Sequence, residues 1–437
     1  MDSHTGILVP AQPVTSLAEY RALGGGAGIE TARRIGPDAT VEAVRDAGLR
    51  GRGGAGFPTG VKWSGTLRAE GGPKYVVCNA AEGEPGTFKD RYLIRVNPYQ
   101  LLEGVLIAAS AVEASHAFIG IKAKSAVEIA ALERAAAEMA DAAMVGDTTI
   151  TIVPGPDDYL FGEEKALLEV IEGKDPLPRL YPPYVQGLFE EPGGEIHPVV
   201  VNNVETLSNV PHILARGADW YRSHGTADSP GTMVFTIGGD VRREGVAELP
   251  LGTPLAALVA DVGGGLHEGR RALMVANGVS NRPLAGSELD VPMDYESMRA
   301  VGSGLGSGGF TVYDDTACVA QVAAALSAFL YAGSCGQCPP CKLGAETITR
   351  RFEMLAAGEG GLRQLEEIGA WVMRVTDSNR CGLGAGSQAL AEGIMRTFGD
   401  HMAAHAAGEA CPPGRIVSAP LIEDWDAEAG RFRYAVR

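Results

Sequence analysis

The sequence predicts a multidomain α/β protein whose three regions differ in composition and periodicity. Strand-like and helix-like segments alternate through the first half, a pattern typical of a largely parallel sheet covered by helices. Short strands and turns follow, and long helix-like segments fill the last part of the chain. Since 437 residues are enough for two to four domains with their own cores, we expect domains over 1–228, 229–314 and 315–437.

Charge and cysteine usage limit the classes of partner and compartment. The net charge of −17 disfavours nucleic acid as a partner, because a phosphate backbone is bound by Lys and Arg. The seven cysteines are an odd number, and the chain opens with no basic-then-apolar secretory segment. We therefore expect a reducing, cytoplasmic compartment and no disulfide scaffold.

One long apolar run, 317–333, requires a choice between a membrane span and a buried helix. It contains Gln321 and Ser327, is rich in alanine and ends at a cysteine-rich loop. A membrane span needs ~20 strongly apolar residues. We interpret the run as a buried helix of a bundle and expect no direct insertion into a membrane.

The first region is predicted to alternate strands and helices after an irregular start. Residues 1–40 carry proline and glycine breaks, so we expect an irregular surface segment there. The predicted helices are 40–47, 99–114 and 125–144, and the predicted strands are 74–78, 117–121 and 148–153.

A glycine-rich stretch at 48–63 is the first candidate ligand site. Its glycines let backbone N–H groups approach a ligand closely, and Lys62 can place a cation against a phosphate or an electron-rich ring. It is neither a Walker loop, which would end in Gly-Lys-Ser/Thr, nor a dinucleotide fingerprint, which would follow a strand. A flexible linker is the alternative, but Phe57, Pro58 and Trp63 are not typical of linkers.

Polar side chains also follow the predicted strands. Asn79, Glu82 and Glu84 come after the strand 74–78, at the carboxyl end where open α/β sheets bind ligands. These side chains can bond ribityl or ribose hydroxyls, and an acidic surface turn is the alternative.

Two further segments combine a helix start with polar side chains. Glu163 and Glu164 begin a helix, where the helix dipole alone would explain acidic residues. Hydrogen bonding to flavin and nucleotide hydroxyls is the functional alternative. Asn202 and Asn203 precede another helix and can either cap it or bind a ligand.

The later regions contain few residue types suited to catalysis. Between 229 and 314 we expect a small α+β module with a structural or docking role. Its predicted elements are the strands 233–237, 246–249, 273–276 and 310–313 and a helix near 255–262. The helices predicted after it are 317–333, 342–357, 361–375 and 385–407.

Four cysteines have the spacing of an iron–sulfur site. Cys335, Cys338 and Cys341 lie three residues apart in one loop, and Cys381 lies in a second loop. A four-helix bundle can bring both loops to one end. Structural zinc sites usually pair two Cys-x-x-Cys motifs, so this set favours a [4Fe–4S] cluster over zinc. Cys411 has no obvious partner in the sequence.

In combination, these motifs resemble those of one family, the flavoprotein (51 kDa, or F) subunit of respiratory complex I. They are equally similar to the diaphorase subunits of NAD-reducing hydrogenases and NAD-dependent formate dehydrogenases. The resemblance extends from about Gly48 to Phe398. It implies a Rossmann-like FMN-binding domain, a ubiquitin-like (β-grasp) SLBB domain and a four-helix domain that carries the cluster.

The resemblance also implies a set of cofactor-binding residues. FMN would contact Gly51, Gly53, Lys62, Asn79, Glu82, Gly162, Glu163, Asn202, Asn203 and Thr206. NADH would stack over the flavin with Phe57 and Glu84 nearby, and Glu164 resembles the acidic residue that disfavours a 2′-phosphate. No protein acid or base is assigned, because the cofactors carry the chemistry.

The sequence departs from the family pattern mainly around the nucleotide pocket. Ala81 stands where the family usually has Asp, and Gly65 where an aromatic residue is common. Tyr181 and Tyr184 replace a lysine and a phenylalanine, and Phe161 replaces a cysteine. The residues expected at the flavin and at the cluster are largely retained.

The resulting hypothesis is an NADH-oxidising subunit that passes single electrons from FMN through the [4Fe–4S] cluster to a partner. The resemblance implies a thioredoxin-like [2Fe–2S] subunit and further redox subunits as partners. It also implies a cytoplasmic protein, held at the inner membrane only through such partners. Two alternatives remain: the same module fed by another electron donor, and a non-enzymatic scaffold with a structural metal.

Overall fold

The computed structural model describes residues 6–189, 194–409, 411 and 415–435. Their contacts divide the chain into two compact units. The first comprises the described residues of 1–82, 88–234 and 247–252, and the second those of 83–87, 235–246 and 253–437.

The first unit is built on a four-stranded parallel sheet. Its strands are β1 (Tyr75–Ala80), β2 (His116–Lys122), β3 (Thr149–Gly155) and β4 (Val199–Asn203). Their order across the sheet is β3-β2-β1-β4, and each neighbouring pair is parallel. β1 and β2 are buried along most of their length, as expected for parallel strands covered on both faces. The predicted mixed α/β class with a parallel sheet is confirmed.

Helices connect and cover these strands. They are α1 (Leu17–Ala22), α2 (Ala27–Ile35), α3 (Pro37–Asp46), α4 (Thr59–Arg68), α5 (Lys89–Val96), α6 (Pro98–Val112), α7 (Ala126–Asp141), α8 (Glu164–Ile171), α9 (Pro183–Gln186), α10 (Val204–Arg216) and α11 (Ala218–Arg222). Nearly all residues of α6 are buried. A helix that is apolar on all sides is stable only in the interior, so α6 is a central element of the core.

The expectation of an irregular segment at 1–40 was wrong over the described part, because α1 and α2 lie there. The buried carboxylate of Glu103 explains the order. It accepts hydrogen bonds from the Tyr20 hydroxyl at 2.6 Å, from Gly26 N at 2.7 Å and from Ile29 N at 2.9 Å. The last two donors belong to the start of α2, where an anion satisfies free N–H groups. This pairing spans over 70 residues of sequence, so local patterns did not reveal it.

The second unit contains a mixed sheet and a helical region. The strands are β5 (Thr232–Gly239), β6 (Gly245–Pro250), β7 (Ala272–Ala276), β8 (Leu284–Ala285) and β9 (Gly309–Asp314), in the order β6-β5-β9-β7-β8. The first residues of β5 and the residues of β6 from Ala247 onward belong to the first unit. Two short helices, α12 (Leu255–Ala257) and α13 (Tyr295–Ala300), accompany them, and a π-helical turn (Leu258–Val262) follows α12.

The helical region follows β9. Its helices are α14 (Val319–Gly333), α15 (Pro339–Ala356), α16 (Leu362–Val372), α17 (Leu383–Thr397) and α18 (Gly399–Ala406). The single helix expected at 385–407 is thus two helices, because Phe398 leaves helical geometry at φ −123° and ψ 30°. A hairpin of β10 (Ile422–Asp426) and β11 (Arg431–Tyr434), which the sequence did not predict, ends the described chain.

Among the described residues, the helices are all too short or too polar to cross a membrane. The apolar run at 317–333 forms α14, whose buried face includes Val322, Leu326 and Leu330.

We expect Glu103→Gln to destabilise the protein by about 1–3 kcal/mol, because the amide replaces a charged acceptor that three buried donors share. The measurement is the free energy of unfolding in urea. The control is Glu133→Gln, which changes an exposed side chain of α7 and should cost less than about 0.5 kcal/mol. Equal stability of the two variants would contradict the role assigned to Glu103.

Candidate functional site

The polar residues singled out in the first half of the sequence lie along one edge of the parallel sheet. Asn79 is the second-to-last residue of β1, Asn202 and Asn203 end β4, and the segment after β3 leads into α8. Asn79 and Asn203 are partners in the strand register, as are Cys78 and Asn202. The carboxyl ends of parallel strands are where open α/β sheets bind ligands. The fold therefore brings the predicted residues of β1 and β4 side by side.

The glycine-rich loop before α4 is anchored rather than free. Gly51 N donates to Phe57 O at 2.9 Å, which closes the loop on itself. Arg52 N donates to Thr206 Oγ1 at 2.8 Å. The Arg52 guanidinium is fully buried and donates to the Thr232 carbonyl at 3.0 Å. These bonds rule out the flexible-linker interpretation for this loop.

Arg52 anchors the glycine-rich loop, a role that sequence reasoning missed. Its side chain also donates to the Tyr221 hydroxyl at 3.0 Å and to the Arg50 carbonyl at 2.9 Å. The sequence feature that could have indicated this role is an arginine within a run of glycines. Arginine has five N–H donors and can therefore order a loop through several hydrogen bonds at once. The partners of Arg52 lie up to 180 residues away in sequence, so only the folded chain shows that it anchors the loop.

Close backbone approach explains two of the predicted glycines. A Cβ atom at Gly53 would lie 3.2 Å from the Asn203 Cβ, and one at Gly162 would lie 2.9 Å from the Ala81 carbonyl oxygen. A side chain at either position would therefore press on the strand ends. The glycines thus let the backbone of the loop and of the turn before α8 approach the sheet edge closely.

Lys62 and Trp63 connect α4 to β4. The Lys62 ammonium lies 3.0 Å from Glu164 Oε2 and donates to the Val201 carbonyl at 2.8 Å. Trp63, which is buried, donates from Nε1 to Asn202 Oδ1 at 2.8 Å. The predicted cation and the predicted acidic residue are thus brought together, and both side chains are about one-third exposed.

Asn79 orders the turn that follows β1. Its Nδ2 donates to the Gly162 carbonyl at 2.7 Å, and its Oδ1 accepts from Ala81 N at 3.2 Å. Ala81 is buried in the apolar cluster beneath the sheet edge. The departure from the family's Asp at this position therefore leaves an apolar contact in place of a carboxylate.

Glu82 and Glu163 stabilise helix starts. Glu82 accepts from Asp90 N at 3.0 Å and from Arg91 Nε at 3.1 Å, at the first turn of α5. Glu163 caps α8 by accepting from the backbone of Lys165 and of Ala166. Burial raises the pKa of Glu163, although its helix-start hydrogen bonds oppose that shift. The dipole explanation of the acidic residues is thus correct for Glu163, and each carboxylate still has lone pairs for a ligand.

A buried ionic network lies under the same edge. The Lys89 ammonium, at the start of α5, is 2.8 Å from Asp90 Oδ1 and 2.8 Å from Glu205 Oε2, and it donates to Asn203 Oδ1 at 3.2 Å. Asn203 donates to Asp90 Oδ2 at 2.6 Å. The side chain of Asn203 also caps α10 by accepting from Glu205 N at 3.0 Å. Sequence analysis assigned no role to Lys89, Asp90 or Glu205.

The charged groups of this network shift one another's pKa values. Burial alone would lower the pKa of Lys89, but Asp90 and Glu205 together raise it above its ordinary value. Burial raises the pKa of Asp90 to about 6, against the opposing effect of Lys89. Lys89 therefore stays charged at neutral pH and compensates two carboxylates that would otherwise be buried without a partner.

The residues expected near a nucleotide are mostly exposed. Phe57 is 54% exposed, Tyr181 55% and Tyr184 85%. A Cβ at Gly65 would meet no atom within 4 Å, so the missing aromatic residue leaves open space there. Glu84 belongs to the second unit, where it accepts from Val279 N at 2.7 Å.

The two cysteine loops of the second unit meet through hydrogen bonds. Arg380 N donates to Cys338 Sγ at 3.3 Å, and the Arg380 guanidinium donates to Gln337 Oε1 at 2.9 Å. Cys381 is thus brought next to the loop that carries the other three cysteines. Gln337 Nε2 lies 3.6 Å from Cys335 Sγ, so the loop also places a donor beside that sulfur.

The environment of the sulfurs suits thiolate ligands. Cys341 lies in the first turn of α15, which begins at Pro339, and helix starts favour negative charge. The Ser334 hydroxyl is 3.5 Å from Cys341 Sγ. Burial raises the pKa of the Cys341 thiol, so a bound metal would have to displace its proton. Four cysteines with N–H donors around them fit a [4Fe–4S] cluster.

Removing the Lys89 ammonium should destabilise the first unit strongly. We expect Lys89→Met to cost about 3–5 kcal/mol in the free energy of unfolding, because Asp90 and Glu205 would be left without their cation. The measurement is urea unfolding at neutral pH. Lys124→Met is the control, since Lys124 forms an exposed pair with Asp157 that contributes less than about 1 kcal/mol. A loss for Lys89→Met no greater than for the control would refute the role of the network.

Two family models match the chain. One, described as the Nuo51 FMN-binding domain, matches residues 44–212. The other, described as the NADH-ubiquinone oxidoreductase-F iron–sulfur binding region, matches residues 321–405. The first range contains the glycine loop and the polar strand ends, and the second contains the four cysteines. FMN and a [4Fe–4S] cluster are thereby confirmed as the cofactors.

Relatives and solved structures give the same result. The F 2 subunit of NADH-quinone oxidoreductase from Rhizobium meliloti (strain 1021) is 39% identical over 90% of this chain and 93% of its own length. The HndC subunit of an NADP-reducing hydrogenase from Solidesulfovibrio fructosivorans is 35% identical over 91% of this chain and 82% of its own. A chain in the crystal structure of an NAD+-reducing [NiFe]-hydrogenase in the H2-reduced state superposes with a TM-score of 0.80 at 32% identity. That match covers 94% of this chain and 70% of the other.

These matches favour the redox hypothesis over the scaffold alternative, since they include both cofactor regions and cover 93% and 82% of the two relatives' own lengths. The chain belongs to the family of the F subunits of NADH-quinone oxidoreductase, and it is an NADH-oxidising flavoprotein subunit that depends on FMN and an iron–sulfur cluster.

Proposed function

We propose that FMN binds at the carboxyl edge of the parallel sheet. The contacting residues in this proposal are Gly51, Gly53, Lys62, Asn79, Glu82, Gly162, Glu163, Asn202, Asn203 and Thr206. The observation that supports it most directly is the pairing of Asn79 with Asn203 in the strand register, beside two glycines whose Cβ atoms would crowd the edge. When bound, FMN supplies the conversion of a two-electron donor into single electrons.

The chain's own residues bind and orient in this scheme. The Lys62 ammonium is held by Val201 O and Glu164, so it presents a fixed positive charge beside the edge. Asn202 is oriented by Trp63, and Asn203 by Asp90. Side chains fixed in this way lose little entropy when a ligand binds, which favours affinity. The residues that we propose to contact the nucleotide are Phe57, Glu84 and Glu164.

Anaerobic reduction of the purified protein tests NADH oxidation directly. We expect NADH to bleach the absorbance of bound FMN within the time of a stopped-flow experiment. If the flavin stayed oxidised with NADH but was reduced by another electron donor, the alternative hypothesis of a different donor would be selected. That alternative has specific support, since Ala81 and Gly65 leave the pocket without the expected carboxylate and aromatic ring.

Glu164 is proposed to disfavour the 2′-phosphate of NADPH. Its carboxylate is partly exposed, and Lys62 at 3.0 Å offsets only part of its charge. We expect Glu164→Gln to raise the ratio of kcat/KM for NADPH to that for NADH by roughly 5- to 10-fold.

The conservative variant Glu164→Asp is the matched control and should keep the discrimination of the wild type. If Glu164→Gln and Glu164→Asp changed the ratio equally, the negative charge would not be its cause. A direct test of this residue matters, because one relative at 35% identity is named as part of an NADP-reducing hydrogenase.

The cluster ligands in our proposal are Cys335, Cys338, Cys341 and Cys381. We expect Cys381→Ser to lower the iron content from about four atoms per chain to less than about one while FMN stays bound, because Cys381 lies in the second unit. Iron and flavin analysis of the purified variant measures this. Cys78→Ala, which removes a buried thiol of β1, is the control and should keep both cofactors. Full iron content in Cys381→Ser would exclude it as a ligand.

We also propose the three-domain division, with an FMN domain over 1–228, an SLBB β-grasp domain over 229–314 and a four-helix domain over 315–437. The mixed sheet, in which β5 pairs parallel with β9, is compatible with a β-grasp. The packing of α14 against α15 and α17 is compatible with a bundle. In this scheme a thioredoxin-like [2Fe–2S] subunit and further redox subunits receive the electrons, and the protein is cytoplasmic and peripheral to the inner membrane.

A further inference from the structure

Two cysteines and two histidines that could bind a metal ion lie close together in the helical region, and none of them is one of the four proposed cluster cysteines. Cys318 Sγ is 3.1 Å from His405 Nε2 and 3.5 Å from His401 Nε2. Cys411 Sγ is 2.8 Å from Cys318 Sγ and 4.0 Å from His405 Nε2. The ligand atoms of Cys318, His401 and His405 all lie within 4.8 Å of one another. We call Cys318, His401, His405 and Cys411 the Cys2His2 site.

Regular structure positions most of this group. Cys318 is the residue that precedes α14. His401 and His405 lie one turn apart on α18, a spacing that places two imidazoles on the same face of a helix. Cys411 follows α18 by five residues. Cys318 and His405 are buried, and His401 and Cys411 are half-buried.

We propose that the Cys2His2 site binds a single zinc ion with a structural role. Two thiolates and two imidazoles are a complete tetrahedral ligand set for Zn²⁺, which leaves no position open for water or substrate. Soft sulfur ligands combined with imidazole select zinc over magnesium or calcium, which take oxygen ligands. Since Cys318 and His405 are buried and the other two side chains are half-buried, an ion bound by them would exchange slowly with solvent.

The spacing excludes a two-iron cluster. Such a cluster with two cysteines and two histidines holds the thiolates on one iron and the imidazoles on the other. Cys318 Sγ would then lie far from both imidazoles, but here it is 3.1 and 3.5 Å from their Nε2 atoms. The compact arrangement therefore fits one ion.

A disulfide between Cys318 and Cys411 is the competing explanation. Both are free thiols in the structure. Two sulfurs on one tetrahedral zinc ion lie about 3.8 Å apart, given Zn–S distances of about 2.3 Å. Binding of the ion therefore requires the two sulfurs to separate by about 1 Å, which a side-chain rotation of the half-buried Cys411 can supply.

The bound ion would join two ends of the helical region. It would tie the start of α14 to α18 and to the segment after it. α14 leads directly into the loop that begins at Ser334 and carries Cys335, Cys338 and Cys341. The proposed zinc thus stabilises the helix that presents the cluster loop, and binding energy at such a site adds to the stability of the fold.

The test is metal analysis of the full-length protein purified without oxygen. We expect about one zinc ion per chain in addition to cluster iron. The variants Cys411→Ser and His401→Ala should each retain less than about a tenth of that zinc, with iron and FMN unchanged. His267→Ala, which removes an exposed histidine, is the matched control and should keep full zinc content. Unchanged zinc in both site variants would overturn the proposal.

A second measurement is independent of the variants. Protein depleted of zinc by a chelator and titrated with Co²⁺ should show the thiolate-to-cobalt charge-transfer and ligand-field bands of a tetrahedral sulfur–nitrogen site at about one equivalent. Peptide mapping under non-reducing conditions distinguishes the disulfide. A linked Cys318–Cys411 peptide in the freshly purified protein, or no cobalt bands after depletion and reduction, would refute zinc binding.

Discussion

The buried ammonium of Lys89 is the constraint on which the carboxyl edge of the parallel sheet depends. It bonds Asp90 and Glu205, and through Asn203 it connects α5, β4 and α10. Isolated charges are expensive to bury, so these groups are stable in the interior only while all of them stay in place. Asn203, at the end of β4, is therefore held by neighbours that have little freedom to move.

The glycine loop depends on a similar device. Arg52 is buried and directs its guanidinium to backbone carbonyls and to Tyr221, while its own backbone N–H bonds Thr206. The loop thus has a polar anchor on one side and glycines on the other. This combination keeps the backbone close to the sheet edge without side chains in between. A fixed loop of this kind suits a resident cofactor better than a mobile one.

The second unit contains two groups of proposed metal ligands that are encoded differently in the sequence. Three of the proposed cluster cysteines share one loop and the fourth is remote in sequence, and Gln337 and Arg380 donate hydrogen bonds to two of the sulfurs. The Cys2His2 site draws its members from positions up to 93 residues apart, and a helix turn sets the spacing of two of them. The first group is dense enough to stand out in sequence. The second is scattered among helices whose packing brings it together.

The sequence by itself determined the α/β class, most of the main strands and helices, and the presence of an FMN region and an iron–sulfur region. Hydrophobic periodicity, glycine density and cysteine spacing are properties of neighbouring residues, so they can be read from the sequence without the fold. The prediction for the first 40 residues was wrong, because α2 is ordered by hydrogen bonds to Glu103, a residue distant in sequence. The prediction also merged α17 with α18, because the break between them depends on the backbone geometry of the single residue Phe398.

Only the tertiary structure decided which polar residues have partners. It showed that Glu163 caps a helix, that Glu82 pairs with Arg91, and that Lys62 meets Glu164 across 102 residues of sequence. It also identified Arg52, Lys89 and the Cys2His2 site, since their partners come from distant segments. Hydrogen bonds and ion pairs act over a few ångströms, and the chain folds to bring together groups that sequence order keeps apart.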